Sequence, residues 1–183
     1  TMARKTWLTR SAGVLLPVSS LPSKYGIGTF GQAAREWVDF LSRAKQRYWQ
    51  VLPLGPTSFG DSPYQSYSAF AGSPLYIDLE LLCRQGLLYK RQGSDPSAVD
   101  YDRVRAGREK LLRKAFSRFE DQKALQKFRR QNKAWVEDYA LFMALKEKMG
   151  GRPWTQWEEG LRLRDPAVLA RWKERCQEDV DYH

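Results

Sequence analysis

The sequence is poor in the residues that most often carry metal and acid–base chemistry. Its one histidine is the final residue, His183, and its two cysteines, Cys83 and Cys176, are far apart with no C-x-x-C pattern. These counts exclude histidine-based triads and H-E-x-x-H sites and argue against a disulfide framework or a zinc site. We therefore expect no metal and no cofactor, and the isolated thiols fit a reducing cytoplasm.

Long apolar segments are also absent. No run approaches the roughly 20 residues that are needed to span a membrane. The basic start, Thr1 to Arg10, is followed by an apolar segment that Pro17 interrupts, without a small-residue cleavage pattern. The sequence therefore predicts no signal peptide, no membrane partner and a cytoplasmic location.

Basic residues are in excess, with 31 Lys and Arg against 21 Asp and Glu and a net charge of +10. The excess is concentrated between Asp100 and Lys133, where apolar residues recur at helical spacing and basic residues fill the other faces. This pattern favours a solvated helix surface. A basic nucleic-acid-binding protein is the alternative, but no RNP-like, KH-like or zinc-finger pattern supports it, so we expect no nucleic-acid partner.

The first half of the chain has a strand, helix, strand pattern. Ala12–Val18 and Tyr48–Leu54 are short apolar segments that predict buried strands, and the amphipathic segment Gln32–Ala44 predicts a helix between them. This order indicates a βαβ unit of a parallel sheet or a (β/α) barrel. Active sites of barrels lie at the carboxyl ends of the strands, so the loop after Leu54 is the candidate site.

The segment Tyr25–Gly31 matches the G-x-G-x-x-G spacing of a dinucleotide site numerically. That fingerprint needs a strand directly before it, and Pro22 and Ser23 intervene here. The sequence therefore favours a backbone turn that begins the following helix.

The composition changes near residue 80, and the second half is predicted to be mainly helical. Tyr76–Leu79 predicts a short strand or bridge before this part. The predicted helices are Tyr101–Phe119, Lys123–Asn132, Ala134–Lys148 and one continuous last helix from Pro166 to about Tyr182.

The loop Gly55–Pro74 is far longer than the about 4–6 residues of a usual connection. Within it, Asp61-Ser-Pro-Tyr-Gln65 predicts a stiff turn that holds Tyr64 at the loop tip. An exposed phenol offers a sugar both a flat apolar face and a polar group. An ordinary packed loop aromatic is the alternative.

Carboxylates are few in this part of the chain. Acid–base cleavage of a glycosidic bond by a retaining enzyme needs two of them about 5–5.5 Å apart. We see no convincing pair in the first 80 residues, whose acidic side chains are Glu36, Asp39, Asp61, Asp78 and Glu80.

Three blocks of the sequence closely resemble the amino-terminal part of bacterial 4-α-glucanotransferases, the amylomaltases or disproportionating enzymes. They are Ser19–Gly31, Arg47–Thr57 and Gly60–Gly72, and further matches are Trp135–Leu145 and Trp154–Trp157. The resemblance extends over nearly the whole chain.

This resemblance implies an α/β fold, the amino-terminal portion of a (β/α)8 TIM-type barrel with a mainly helical inserted subdomain. Residues 1–80 would form the first strands and the substrate loop. Residues 81–183 would form the helical insertion and run into the rest of the barrel. A whole barrel takes about 250 residues, so we expect the remainder to lie outside this chain.

The resemblance also implies the transfer of α-1,4-glucan segments between maltooligosaccharides by a retaining double displacement. The family's Asp nucleophile, Glu acid/base and second Asp come from later strands, so no catalytic residue is assigned here and the chain alone is predicted to be inactive. Tyr64 matches the tyrosine that stacks on the sugar next to the scissile bond, and Asp61, Ser62 and Gln65 belong to the same groove-lining loop. A non-catalytic glucan-binding module is the alternative.

Phe59 departs from the family pattern. Some members have a tyrosine there that helps to bind glucan at a second, remote site, and the partner position near Arg105 is not aromatic either. The resemblance alone therefore does not predict that second site here.

Overall fold

A computed structural model describes residues 10–89, 93 and 97–183, so most of the basic start at Thr1 to Arg10 lies outside the described residues. Within these ranges, no helix has the length and apolar character needed to cross a membrane. The strands and helices are β1 (Gly13–Leu15), α1 (Gln32–Arg43), β2 (Tyr48–Gln50), α2 (Leu79–Arg84), α3 (Tyr101–Phe116), α4 (Gln122–Gln131), α5 (Val136–Lys148), α6 (Glu159–Arg162), α7 (Pro166–Arg175) and α8 (Gln177–Tyr182).

The predicted parallel strand pair is present. β1 and β2 pair with Gly13 opposite Tyr48 and Leu15 opposite Gln50, and α1 connects them. Both strands are shorter than predicted because prolines follow closely: Pro17 and Pro53 have no N–H to donate to a ladder. The sequence pattern thus predicted the βαβ unit correctly and overestimated its length.

The helix α1 covers this strand pair from one side. Ala34 and Leu41 are buried, and Ala34 packs in a cluster with Val18 and Leu21 that also contacts residues of β2 and the segment after it. The helix ends near its predicted boundary because Lys45 takes the left-handed region, at φ 59°, and the Gln46 N–H closes a 2.9 Å hydrogen bond to the Leu41 carbonyl.

The glycine-rich segment before α1 has structural roles. A Cβ added at Gly28 would lie 1.9 Å from the Val18 carbonyl oxygen, and one added at Gly31 would lie 2.6 Å from the Asp78 carboxylate. Both glycines therefore permit close packing of the chain, in agreement with the turn favoured from the sequence.

The predicted strand at Tyr76–Leu79 is wrong. Pro74–Tyr76 form a 3-10 turn and Leu79 begins α2. Two side chains accept hydrogen bonds from the backbone where these turns begin. Ser73 Oγ accepts from the Leu75 N–H at 3.4 Å, and Asp78 Oδ1 accepts from the Glu80 N–H at 3.1 Å. Such local hydrogen bonds favour helical starts over an extended chain.

The chain consists of two compact units, one up to Ala115 and the other from Phe116. The second unit contains α4 to α8 around a buried cluster: Ala140, Leu141, Ala144, Leu145, Trp157, Leu161, Cys176 and Val180. The prediction of one continuous last helix is wrong, because α7 ends before Cys176 and α8 begins after it. Cys176 at the break and Val180 on α8 are both buried in the cluster that α5 helps to form.

The basic face of α3 is not entirely solvated, contrary to the pattern-based interpretation. Arg108 is only 3% exposed, and its Nη1 donates to the Ile77 carbonyl at 3.0 Å. Burial lowers the pKa of Arg108 to about 10, although the nearby Asp78 and Tyr25 oppose this change.

Candidate functional site

The long loop after β2 is a closed, hairpin-like structure. At its base the Ser73 N–H donates to the Leu54 carbonyl at 2.7 Å. Nearer the tip, Thr57 and Ser66 form an antiparallel bridge. These bonds join the two arms, so the loop has a defined shape although it contains little regular structure.

Hydrogen bonds at the tip hold a tight turn around Pro63. The Gln65 N–H donates to the Ser62 carbonyl at 3.1 Å, and the Tyr64 N–H donates to Ser62 Oγ at 3.4 Å. Gln65 then accepts from the Ser58 N–H at 3.0 Å, which ties the turn back to the opposite arm. The Tyr64 side chain is 74% exposed. The predicted stiff turn with an exposed phenol is therefore present, while the role of Tyr64 stays a prediction.

Asp61 lies at the start of this turn in an unusual backbone conformation. Gly60 and Asp61 both take positive φ, at 71° and 53°. The Asp61 carboxylate accepts from Thr57 Oγ1 at 3.4 Å and pairs with the guanidinium of Arg105 on α3. Aspartate tolerates the left-handed region better than most residues, and these partners hold it there. No periodic signal in the sequence points to Arg105, which is 44 residues away.

The second arm of the loop, residues 66–74, is stabilised by hydrogen bonds of its own serines. Ser66 Oγ donates to the Ser68 carbonyl at 2.8 Å, and Ser68 Oγ accepts from the Ala71 N–H at 3.0 Å and the Phe70 N–H at 3.1 Å. Phe70 is 73% exposed. The loop thus presents a second highly exposed aromatic side chain in addition to Tyr64.

Three of the acidic side chains in the first 80 residues serve local structure. Glu36 accepts from Gln32 Nε2 at 3.0 Å on the solvent face of α1, Asp78 caps α2, and Asp61 pairs with Arg105. In the part of the chain that the structure describes, no three metal-ligating side chains lie close enough to hold an ion. The side chain of Phe59, where the second glucan site was considered, lies outside the described part.

Comparisons with known proteins agree on one family. The family model described as 4-alpha-glucanotransferase, of glycoside hydrolase family 77, matches residues 16–183. The chain is 48% identical over 184 residues to the 4-alpha-glucanotransferase of Streptococcus pneumoniae, covering 95% of this chain and 36% of that protein. It is 45% identical over 183 residues to the 4-alpha-glucanotransferase of Thermus thermophilus, and this match covers 96% of this chain and 37% of that protein. The chain therefore spans a little over a third of the length of these curated relatives.

Solved structures show the same likeness. An amylomaltase from Streptococcus agalactiae in complex with acarbose matches with a TM-score of 0.87 and 40% identity, over 96% of this chain and 37% of that chain. An amylomaltase from Corynebacterium glutamicum matches with a TM-score of 0.58 and 16% identity, over 93% of this chain and 27% of that chain. At this low identity the match indicates a shared fold alone.

Proposed function

The chain belongs to the 4-alpha-glucanotransferase family, and we propose that it is the amino-terminal part of an enzyme that transfers α-1,4-glucan segments between maltooligosaccharides. This proposal rests on the exposed Tyr64, which lies on a turn fixed by hydrogen bonds. The chain around it matches the family model over residues 16–183. The family match supports the reaction, and the turn supports the place where the sugar binds.

The fold supports a location at the mouth of a barrel. β1, α1 and β2 are in the order of the first βαβ unit of a (β/α)8 barrel, and the loop 55–74 follows β2. In such barrels the loops after the strands build the active site. We therefore propose that residues 1–80 supply the first strands and part of the substrate groove. Residues 81–183 would supply a mainly helical insertion, and the remaining strands would come from the rest of the protein.

The tip of the loop supports recognition of a sugar. A ring with 74% of its surface exposed can stack on the apolar face of a glucose unit, and its hydroxyl can bond a sugar hydroxyl. Ser62 and Gln65 lie beside it, with Asp61 beneath the turn, and we assign these four residues to the groove. The related S. agalactiae enzyme was solved in complex with acarbose, which supports a glucan as the ligand class.

The catalytic groups would come from outside this chain. A retaining double displacement needs a carboxylate nucleophile and a carboxylic acid on opposite sides of the scissile bond. Asp61 and Asp78 are engaged in an ion pair and a helix cap, and Glu36 lies on a solvated helix. We therefore propose that this chain binds and orients glucan, that the rest of the protein supplies the reacting carboxylates, and that residues 1–183 alone are inactive.

We also propose that the protein is cytoplasmic. Among the described residues, Cys83 and Cys176 are both free thiols, and Cys176 is buried. Unpaired thiols persist in a reducing compartment.

The test is a Tyr64→Ala variant of the full-length protein, assayed by the disproportionation of maltotriose into glucose and longer maltooligosaccharides. Loss of a stacking surface worth about 1–1.4 kcal/mol should lower kcat/KM by about fivefold to tenfold. Tyr64→Trp should restore much of the loss because it keeps an aromatic face. Tyr89→Ala is the matched control, since Tyr89 is 71% exposed and lies outside the loop.

Two outcomes would contradict the proposal. Wild-type protein that binds maltooligosaccharide without transferring it would favour the non-catalytic module. Equal activity of Tyr64→Ala and wild type would remove Tyr64 from the groove.

A further inference from the structure

Arg105 on α3 is tied to the turn that carries Tyr64. Its guanidinium pairs with the Asp61 carboxylate. Among the described residues, Arg105 is the one side chain from outside residues 55–74 that hydrogen-bonds the tip from Thr57 to Ser66. The remaining bonds at the tip are made within the loop itself. This ion pair is therefore the hydrogen-bonded link between the turn and α3 among the described residues.

The ion pair holds Asp61, the non-glycine residue of this loop whose backbone takes the unfavourable left-handed conformation. Asp61 has φ 53° and follows Gly60 at φ 71°, so the chain reverses its direction at this point. A non-glycine residue in this region persists when its surroundings hold it. Thr57 Oγ1 donates to the carboxylate from one side at 3.4 Å, and Arg105 donates from α3.

The constraint passes directly from Asp61 to Tyr64. Ser62 follows Asp61 and provides both acceptors of the turn, its carbonyl for the Gln65 N–H and its hydroxyl for the Tyr64 N–H. A rotation of the chain at Asp61 would move both acceptors and would redirect the exposed ring. The ring itself has no hydrogen-bond or ring partner among the described residues, so the backbone of the turn sets the place at which the ring is presented.

We propose that Arg105 is a positioning residue for glucan binding: it holds Asp61, and through Asp61 the turn, so that Tyr64 faces the sugar. This inference rests on the proposed function. It assigns the Asp61 carboxylate to the support of the loop and leaves Tyr64 as the group that touches the sugar. Arginine suits this role because its guanidinium is rigid and planar, so the N–H that meets the carboxylate has a defined direction, whereas lysine offers only a flexible point charge.

The kinetic effect should exceed the effect on stability. The side chains of Arg105 and Asp61 are 41% and 25% exposed, and ion pairs at such sites contribute little to global stability. Arg105→Ala in the full-length protein should therefore leave the Tm close to that of wild type. It should raise KM for maltotriose about three- to tenfold with a smaller change in kcat, because a misdirected ring weakens binding.

The experiment compares Arg105→Ala, Arg105→Lys and Asp61→Asn, each in the wild-type and the Tyr64→Ala backgrounds. Arg103→Ala is the matched control, since Arg103 is exposed on the same helix and its loss changes the net charge equally. We expect Asp61→Asn to resemble Arg105→Ala and Arg105→Lys to restore part of the affinity. In the Tyr64→Ala background, Arg105→Ala should cause no further rise in KM.

The outcomes separate this inference from the proposed function. If Tyr64→Ala weakens transfer but Arg105→Ala behaves like Arg103→Ala, the positioning role is overturned and the groove assignment stands. If the effects of Arg105→Ala and Tyr64→Ala on KM multiply, Arg105 acts elsewhere and the inference also fails. If Tyr64→Ala itself has no effect on transfer, the groove assignment is wrong, and the positioning role of Arg105 fails with it.

Discussion

A network of ion pairs around Glu137 joins four helices of the second unit. Arg129 on α4 makes a two-pronged bond to the Glu137 carboxylate on α5, with Nε to Oε1 at 2.6 Å and Nη2 to Oε2 at 2.8 Å. Lys173 on α7 also donates to this carboxylate. The third arm of Arg129 binds Asp181 on α8 at 2.6 Å. We predict that Glu137→Gln destabilises residues 116–183 at neutral pH and that this effect disappears in acid.

The magnitude follows from the pKa of Glu137. The hydrogen bond from Arg129 is the largest cause that lowers this pKa, from 4.5 to about 2; burial opposes the change, and Lys173 adds to the lowering. At 1.36 kcal/mol per pKa unit, this corresponds to about 3 kcal/mol. The Glu137 side chain is 30% exposed, so screening by water reduces the expected loss to about 1–2 kcal/mol.

The sign of the pH dependence is fixed by the direction of the change in pKa. Since the pKa of Glu137 is lower in the folded state, its contribution is complete above the unfolded value of 4.5. It is lost as the pH falls toward the folded value of about 2. The free-energy difference between wild type and Glu137→Gln should therefore be constant above about pH 5.5 and shrink below it.

Hydrogen exchange measured by mass spectrometry on the full-length protein reports this difference locally. Peptides from α4, α5, α7 and α8 should exchange faster in Glu137→Gln than in wild type at neutral pH, and the comparison at each pH cancels the intrinsic exchange rate. Glu174→Gln on α7 is the control, because Glu174 is exposed and no ion pair to it is seen within residues 116–183. A difference that does not change between about pH 6 and pH 3, or equality of the two variants at neutral pH, would refute the reasoning.

Two further predictions concern the first unit. Gly28→Ala should cost about 1–3 kcal/mol, because the new Cβ would lie 1.9 Å from the Val18 carbonyl oxygen and the backbone must move. Gly107→Ala in α3 should instead stabilise the protein by about 0.5–1 kcal/mol, since its Cβ meets nothing within 4 Å. Urea unfolding measures both changes in the free energy of unfolding. If both changes had the same sign, the packing argument would be contradicted. Arg108→Ala should cost about 2 kcal/mol by urea unfolding, because it removes the hydrogen bond from Nη1 to the Ile77 carbonyl and leaves a cavity at a buried position. Arg108→Met should cost less, and a larger loss for methionine would contradict this.

Local features of the fold were predictable where short-range physics decides them. The apolar runs and the amphipathic segment predicted β1, α1 and β2, since both periodicities arise from the geometry of a single element. The turn at Asp61–Gln65 was also predictable, because Pro63 and its polar neighbours restrict the backbone there. The short strand expected at Tyr76–Leu79 failed because an apolar run of this length does not distinguish a strand from a helix start, and the capping role of Asp78 decided the outcome.

The sequence by itself determined the βαβ order, the helical second half and a turn that exposes Tyr64, because each depends on residues close together in the chain. Only the tertiary structure decided which charged residues meet. It brought Arg105 to Asp61 across 44 residues, joined Arg129 to Asp181 across 52 and buried Arg108 on a helix face that appeared polar. A long-range ion pair leaves no period in a sequence, since either charge could equally remain in water until packing brings it beside its partner.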